Sequence, residues 1–357
     1  MRVALSVGEK SGEVIAELLE QELVRPPTSC EVVRLQSATC LRSVFGFTPG
    51  LGRVAGFGRL LSRAEHEIVS LAADVVVLIS FSGFHLPLGR RCRLRGLRVL
   101  YLGPPQFWAW GQWRVPLLRG AADKVVCLFA FEESVLRRAG VDAIYAGYPL
   151  LDVVRGDHPR AEVFEQLGLE SGARYLAFLP GSRSSEVAHH RPLFRAVFER
   201  LRINDPELLG VMIAERDGAE PEGMLAETRN RYDVIRYAEA ALVVSGTATA
   251  ECAILGTPLV ACYHLPAASR IMSRLLVSVP FFALPNILAG RQVIPEYLEP
   301  SSDLLVRELR RLIDDIPLRA TMLSRLKEVS EGLGPPGAIS RIGRLVVDLA
   351  QRRLPLA

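Results

Sequence analysis

Lysine is almost missing from this sequence. Lys10, Lys124 and Lys327 are the only three in 357 residues, so nearly all of the positive charge is arginine. The excess of charge is small: 43 Lys and Arg stand against 39 Asp and Glu, a net +4, well short of a nucleic-acid-binding surface. None of the six cysteines (Cys30, Cys40, Cys92, Cys127, Cys252, Cys262) forms a CxxC pair. That spacing excludes the common zinc and redox motifs and suits a reduced, cytoplasmic protein with ordinary thiols. No block recurs at a fixed spacing, which excludes solenoids and propellers. Long apolar runs are missing too. The most apolar window, residues 71–89, carries Asp74, Ser80, Ser82, Gly83 and His85, whereas a membrane span needs about 20 mostly apolar residues. The opening MRVALSVGEKSGEVIAELL has too short an apolar stretch, and no small-residue cleavage site, for a signal peptide. The expectation is a soluble or peripheral protein.

What remains is ample for folding. Hydrophobic residues make up 49% and charged residues 23%, with a mean hydropathy of +0.22, so disorder is excluded. The length suits two domains with cores of their own. Short apolar runs alternate with amphipathic stretches. Residues 3–7, 32–35, 75–79, 99–102 and 125–128 read as strands, with helices at 13–24 and 59–71 and a glycine-rich irregular stretch at 39–58. A polar break with a proline follows near residues 151–159. The pattern then restarts with strands at 175–179, 208–214, 242–244 and 258–263, helices at 186–201 and 249–255, and a helical tail from residue 301 broken at 332–337. Unbroken Val/Ile/Leu runs, without alternation, mean strands buried on both faces of a parallel sheet. The expected class is α/β, two Rossmann-like domains in tandem, at residues 1–155 and 156–335. A final helix, 336–357, packs on the first domain or on a partner copy. A ligand is expected in a central cleft at the carboxyl ends of the strands.

Three strand-to-helix loops carry chemistry. Gly8-Glu9-Lys10-Ser11-Gly12-Glu13 lets the backbone approach a ligand, but lacks both the GxGxxG and the GxxxxGK[ST] spacing; a plain turn is the competing reading. Leu179-Pro180-Gly181-Ser182-Arg183 is sharper. Gly181 permits close approach, Ser182 offers a cap or a donor, and Arg183 matches a phosphate at a helix amino end. The alternative is a capped helix with an exposed arginine. Ser245-Gly246-Thr247-Ala248-Thr249-Ala250-Glu251 is a second small-residue loop suited to a diphosphate, with Glu251 placed to hold two ribose hydroxyls. Two such loops in one domain indicate a nucleotide-diphosphate donor. No Asp/His cluster suggests a metal, and no cofactor is expected.

These segments resemble the lipid-A-disaccharide synthase family, in order from end to end. Residues 8–13 look like its GExSGD, residues 101–110 (YLGPPQFWAW) like its YxSPQVWAW, residues 179–183 match LPGSR and residues 245–251 match SGTATLE. Residues 284–290 (LPNILAG), Pro295-Glu296 and residues 333–340 (LGPPGAIS) complete the likeness. The resemblance implies the GT-B arrangement and an inverting transfer of 2,3-diacylglucosamine from UDP to 2,3-diacylglucosamine 1-phosphate at the cytoplasmic face of the inner membrane. It also implies a homodimer that exchanges carboxyl-terminal segments. Asn286 joins Gly181, Ser182, Arg183, Ser245, Gly246, Thr247, Thr249 and Glu251 on the donor side. Ser11, Gly12, Trp108 and Trp110 belong to the acceptor side.

The chain departs from the family where the chemistry is expected. In IDxPDF, whose aspartates are the family's expected catalytic carboxylates, Ser80 and Gly83 replace both aspartates. Tyr148 replaces the histidine of GHPLxD, and Glu13 the aspartate of GExSGD. The remaining candidates for the base are His85, which titrates near neutrality when unperturbed, and Glu9 and Glu13. Each has a bland alternative: a structural histidine, or a carboxylate favoured in the first turn of a helix. A second reading follows, a non-catalytic or re-targeted homologue that binds a UDP-sugar but serves another acceptor. Phe107, Trp108, Trp110 and Trp113 suit an acyl or sugar surface, or simply core packing. Arg90, Arg91, Arg93, Arg95 and Arg98 suit an anionic membrane surface, or a solvated face.

Overall fold

The computed structural model describes residues 1–8, 10–36, 52–109, 111–214, 220–264 and 280–351, with the side chains of residues 10, 11 and 52–55 left aside. Glu9, Cys40 and Trp110 therefore lie outside the described residues. The chain divides into two units, Met1–Asp152 with Pro335–Ala357, and Val153–Gly334.

In the first unit the order is β1 (Arg2–Val7), α1 (Lys10–Val24), β2 (Glu31–Arg34), α2 (Gly52–Ser70), β3 (Val75–Ile79), α3 (Ser82–Leu94), β4 (Arg98–Leu102), α4 (Arg114–Ala121), β5 (Lys124–Cys127), α5 (Ala130–Arg138) and β6 (Ala143–Tyr145). The second unit runs α6 (Arg160–Gln166), β7 (Tyr175–Leu179), α7 (Ser184–Asn204), β8 (Leu209–Ile213), β9 (Met224–Glu227), α8 (Arg231–Tyr237), β10 (Ala240–Val244), α9 (Thr247–Leu255), β11 (Leu259–Tyr263), α10 (Leu284–Ala289), β12 (Glu296–Leu298), α11 (Ser302–Asp314) and α12 (Ile316–Gly332). The chain then returns to the first unit as α13 (Ala338–Gln351).

Each unit is built on a parallel sheet, in the order β2-β1-β3-β4-β5-β6 and β12-β11-β10-β7-β8-β9. Strand β3 shows why the apolar runs do not alternate. Val75, Val77 and Ile79 enter a core shared with Leu19 and Leu23 of α1 and Ile342 and Val346 of α13. Val76 and Leu78 enter the opposite core, against Leu61 of α2, Phe84 and Leu88 of α3 and Leu118 of α4. Successive side chains point to opposite faces, and both faces are covered.

Helices α2 and α3 depart from the sequence reading. Helix α2 begins at Gly52, inside the stretch read as irregular, because packing overrides the low helix propensity of Gly52, Gly56 and Gly58. Helix α3 lies where the sequence reading placed no helix, and it carries Pro87 and Gly89 within it. Gly89 is there for close packing: a Cβ would lie 2.4 Å from the carbonyl oxygen of Ala121.

Two polar devices brace the first unit. At its edge, the Asp152 carboxylate accepts the N–H groups of Gly337 and Ile339 and so closes the amino end of α13. Arg341 donates to the carbonyls of Ala146, Pro335 and Pro336. The two places where the chain passes between the units are therefore tied together on the first unit's side. In the interior, His85 is fully buried. One ring nitrogen lies 2.9 Å from the Ser6 Oγ, and the other donates to the Ser80 carbonyl at 2.7 Å. Tyr101 donates its hydroxyl to the same carbonyl at 2.8 Å. Burial pushes the His85 imidazole down to about 4, so at neutral pH it is uncharged.

Both devices predict measurable effects. Asp152→Ala removes a two-bond cap and is expected to cost about 1–2 kcal/mol in denaturant unfolding, with Asp152→Asn costing less; an unchanged midpoint for Asp152→Ala would refute the cap. For His85 the unfolded chain takes up a proton below about pH 6.5 while the folded chain resists until about pH 4. Folded stability therefore falls as pH drops through that window, by on the order of 3 kcal/mol in total from this group. His85→Gln is expected to flatten the acid-side decline of Tm between those values relative to wild type. Parallel declines would contradict it.

Candidate functional site

Sheet order places the loops. In the first unit, β1 and β3 are neighbours while the chain leaves β1 toward β2 on the other side. In the second, β7 and β10 are neighbours, with β8 and β9 on one flank and β11 and β12 on the other. These are the points where strand order reverses, and where open α/β sheets leave a crevice beyond the carboxyl ends. The loops that follow β1, β7 and β10 are the three the sequence reading singled out, and the departure from IDxPDF falls in the loop after β3.

Beside β1 and β3 the backbone is strained. Ser80 and Phe81, consecutive non-glycine residues, have φ of 55° and 46°, a left-handed conformation that costs of order 1–3 kcal/mol per residue. The ring of Phe81 lies over Gly8, where a Cβ would come 2.4 Å from its Cγ. The Ser80 carbonyl is held from below by His85 and Tyr101. His85 is thus corrected as a candidate base. It is enclosed, both nitrogens are engaged, and it acts as the prop of this turn. Glu13 sits in the first turn of α1, its carboxylate 3.1 Å from the Arg34 guanidinium. Gly12 is buried between Val7 and Ile79, whose methyls would lie 3.2 Å from a Cβ. The side chain of Ser11 lies outside the description.

Trp108 is half-buried, donating Nε1–H to Glu132 at 2.9 Å and meeting Phe131 edge-on at 5.4 Å. Phe131 stacks on Phe129, which stacks on Tyr148. Glu132 also accepts the N–H groups of Leu128 and Phe129, and burial raises its carboxyl to about 7. Trp113 stands out in solvent, 66% exposed. Four arginines of the run in and after α3 share two carboxylates: Arg91 and Arg95 pair with Glu65, and Arg93 and Arg98 with Asp123.

The loop after β7 is closed by Glu186. Its carboxylate accepts the N–H groups of Ser182 and Arg183 and lies 2.9 Å from the Arg183 guanidinium. Gly181 has φ of 116°, and a Cβ there would lie 2.6 Å from that of Glu186; only glycine permits so tight a loop. The Arg183 side chain is 59% exposed at the amino end of α7. His190 anchors the next turn by donating to the Glu186 carbonyl and accepting the His264 N–H from the end of β11. That acceptance requires an uncharged ring, and burial lowers its pKa, helped by the neighbouring His189 and His264.

The loop after β10 sorts the remaining residues. Gly246 and Thr247 are exposed at the amino end of α9. Ser245 Oγ donates to the Phe282 carbonyl and Thr249 Oγ1 to the Gly246 carbonyl, so both hydroxyls shape the loop from within. Glu251 is buried and ion-paired with Arg231. Asn286 is corrected from donor group to internal bracket. It is fully buried, accepting the N–H groups of Val293 and Ile294 and donating to the Ile294 carbonyl. Glu296 accepts the N–H groups of Phe282 and Ala283 and finishes the same corner. Sequence reading missed Arg231 and the bracing by Glu296. Nothing in the local pattern around Arg231 distinguishes it, because its partner is 20 residues away. Among the described residues no group of His, Cys, Asp or Glu could hold a metal ion.

A family model for lipid-A-disaccharide synthetase matches residues 3–313. The chain is 32% identical to the lipid-A-disaccharide synthase of Syntrophus aciditrophicus, over 87% of this chain and 84% of that one. It is also 32% identical to that of Koribacter versatilis, over 99% and 100%. Among solved structures, it superimposes on the UDP-GlcNAc 2-epimerase of Neisseria meningitidis bound to UDP-GlcNAc with a TM-score of 0.65 at 11% identity, covering 98% and 99% of the two chains. It superimposes on the spinosyn forosaminyltransferase SpnP with a TM-score of 0.59 at 12% identity, covering 99% and 100%. These distant likenesses establish the fold, two Rossmann-like domains of GT-B type. With the sequence matches, they place the chain in the lipid-A-disaccharide synthase family of glycosyltransferases.

Proposed function

We propose that the protein transfers 2,3-diacylglucosamine from its UDP conjugate to 2,3-diacylglucosamine 1-phosphate. The acceptor hydroxyl oxygen attacks the anomeric carbon and the bond from that carbon to the diphosphate breaks. UDP leaves with the electron pair, configuration inverts, and the hydroxyl proton passes to a base. The observation that carries this reading is the pair of loops flanking the β7/β10 switch point. One bears Arg183, the other the exposed Gly246 and Thr247. Backbone N–H groups and a guanidinium so placed oppose the charge that develops on the leaving diphosphate.

Ser80 and Gly83 cannot take the proton, and His85 is enclosed. The base is drawn from the first loop, from Glu9 or from Glu13, whose side chain is 23% exposed. The acyl chains of both substrates call for action at the cytoplasmic face of the inner membrane. No helix among the described residues is long and apolar enough to cross a membrane. Trp113 and Leu117 of the first unit are exposed at 66% and 44%, and amphipathic Trp favours such interfaces.

Mass spectrometry of lipids from purified protein and both substrates is expected to show the acylated disaccharide. Arg183→Ala is expected to abolish it and to weaken UDP binding by about 10–100-fold, the loss of one charge-assisted contact. UDP binding that depends on Arg183, with no disaccharide, would instead favour the re-targeted homologue. A wild-type yield from Arg183→Ala would overturn the assigned leaving-group contact. For the membrane, Trp113→Ser with Leu117→Ser is expected to reduce co-sedimentation with anionic vesicles at least severalfold; unchanged sedimentation would remove that surface from the account.

A further inference from the structure

Glu251 presents a physical problem that its motif does not solve. The carboxylate stands near the start of α9, its side chain only 8% exposed, and burial favours the neutral acid. A neutral carboxyl group carries a proton of its own and is a poor partner for a diol, which needs somewhere to donate two hydrogens. An ionised carboxylate accepts both.

The structure supplies the counter-charge from a different element. Arg231 opens α8, which packs beside α9, and its guanidinium nitrogen lies 2.5 Å from Glu251 Oε2. The guanidinium also stands 5.6 Å from the ring of Tyr232. The other oxygen of Glu251, Oε1, accepts no hydrogen bond among the described residues. One oxygen of the carboxylate is therefore held by a fixed planar cation, and the other is left for a ligand.

We propose that Arg231 is a positioning residue for ribose recognition, holding Glu251 so that its second oxygen accepts the hydroxyl hydrogens of a nucleoside-diphosphate ribose. The proposal rests on the reading of this loop as a UDP site and adds the residue that makes Glu251 fit for it. Arg231 acts through Glu251 rather than on the reacting atoms. Its removal is therefore expected to erase discrimination at the sugar and not simply to weaken binding.

The test is calorimetric titration of the full chain with UDP and with 2′-deoxy-UDP. Wild type is expected to prefer UDP by about tenfold or more, the worth of a hydrogen bond to a charged group. Arg231→Gln is expected to bring the two within about twofold. Arg231→Lys keeps the charge but not the planar fork, and is expected to fall between. A wild-type ratio in either variant, with wild-type circular dichroism, overturns the proposal, and the lysine variant decides alone if the glutamine variant does not fold. Equal binding of the two nucleotides by wild type also overturns it, because Glu251 then reads no 2′-hydroxyl. Absence of UDP binding by wild type, by contrast, overturns the nucleotide reading on which the proposal stands.

Discussion

Burial of both faces of a parallel sheet is the constraint from which the rest follows. When every strand is apolar on both sides, polar groups are expelled to the two ends of the sheet. The carboxyl end also receives the amino ends of the following helices, with their unpaired N–H groups. In this chain, the loops assigned to the proposed site follow the strands where strand order reverses, β1 and β3 in one sheet and β7 and β10 in the other. The protein closes several helix-entry loops, the one after β7 among them, with its own carboxylates. Glu186 binds the backbone after β7, Glu296 the corner before α10, Glu132 the turn before α5 and Asp152 the start of α13. Each satisfies N–H donors at a helix end and fixes a loop that would otherwise fray.

The turn after β3 holds its shape with Ser80 and Gly83 where the family resemblance implies aspartates. Ser80 and Phe81 hold a strained conformation, and such strain persists only where surrounding contacts over-determine it. The Ser6–His85–Ser80–Tyr101 network provides those contacts from inside the core. A buried, uncharged histidine suits this work better than a charged one, which would demand a counter-ion. With Ser80 and Gly83 at these positions and His85 enclosed, the proposed base is drawn from the first loop.

Much of this was legible in the sequence because it depends on local pattern. Continuous apolar runs gave the parallel sheets, and the small-residue loops read after strands do follow β1, β7 and β10. Glycine and proline misled where packing overrides propensity: α2 starts among glycines, and α3 carries Pro87 and the close-packed Gly89. Side-chain direction was the larger gap. Asn286 and Thr249 were assigned outward roles from their motifs, yet both turn inward and bond the backbone, and His85 takes the structural one of its two readings. Arg231 could not be found from its neighbours, since its meaning comes from Glu251, brought alongside by the packing of α8 on α9.

The central claim is that the second unit binds the nucleotide with the loops after β7 and β10. A crystal structure of the protein grown with UDP tests it most directly. The account predicts diphosphate density beside Arg183 and the backbone of Gly246 and Thr247, with the ribose at Glu251. Ordered UDP bound elsewhere on the chain, with those two loops empty, would contradict it.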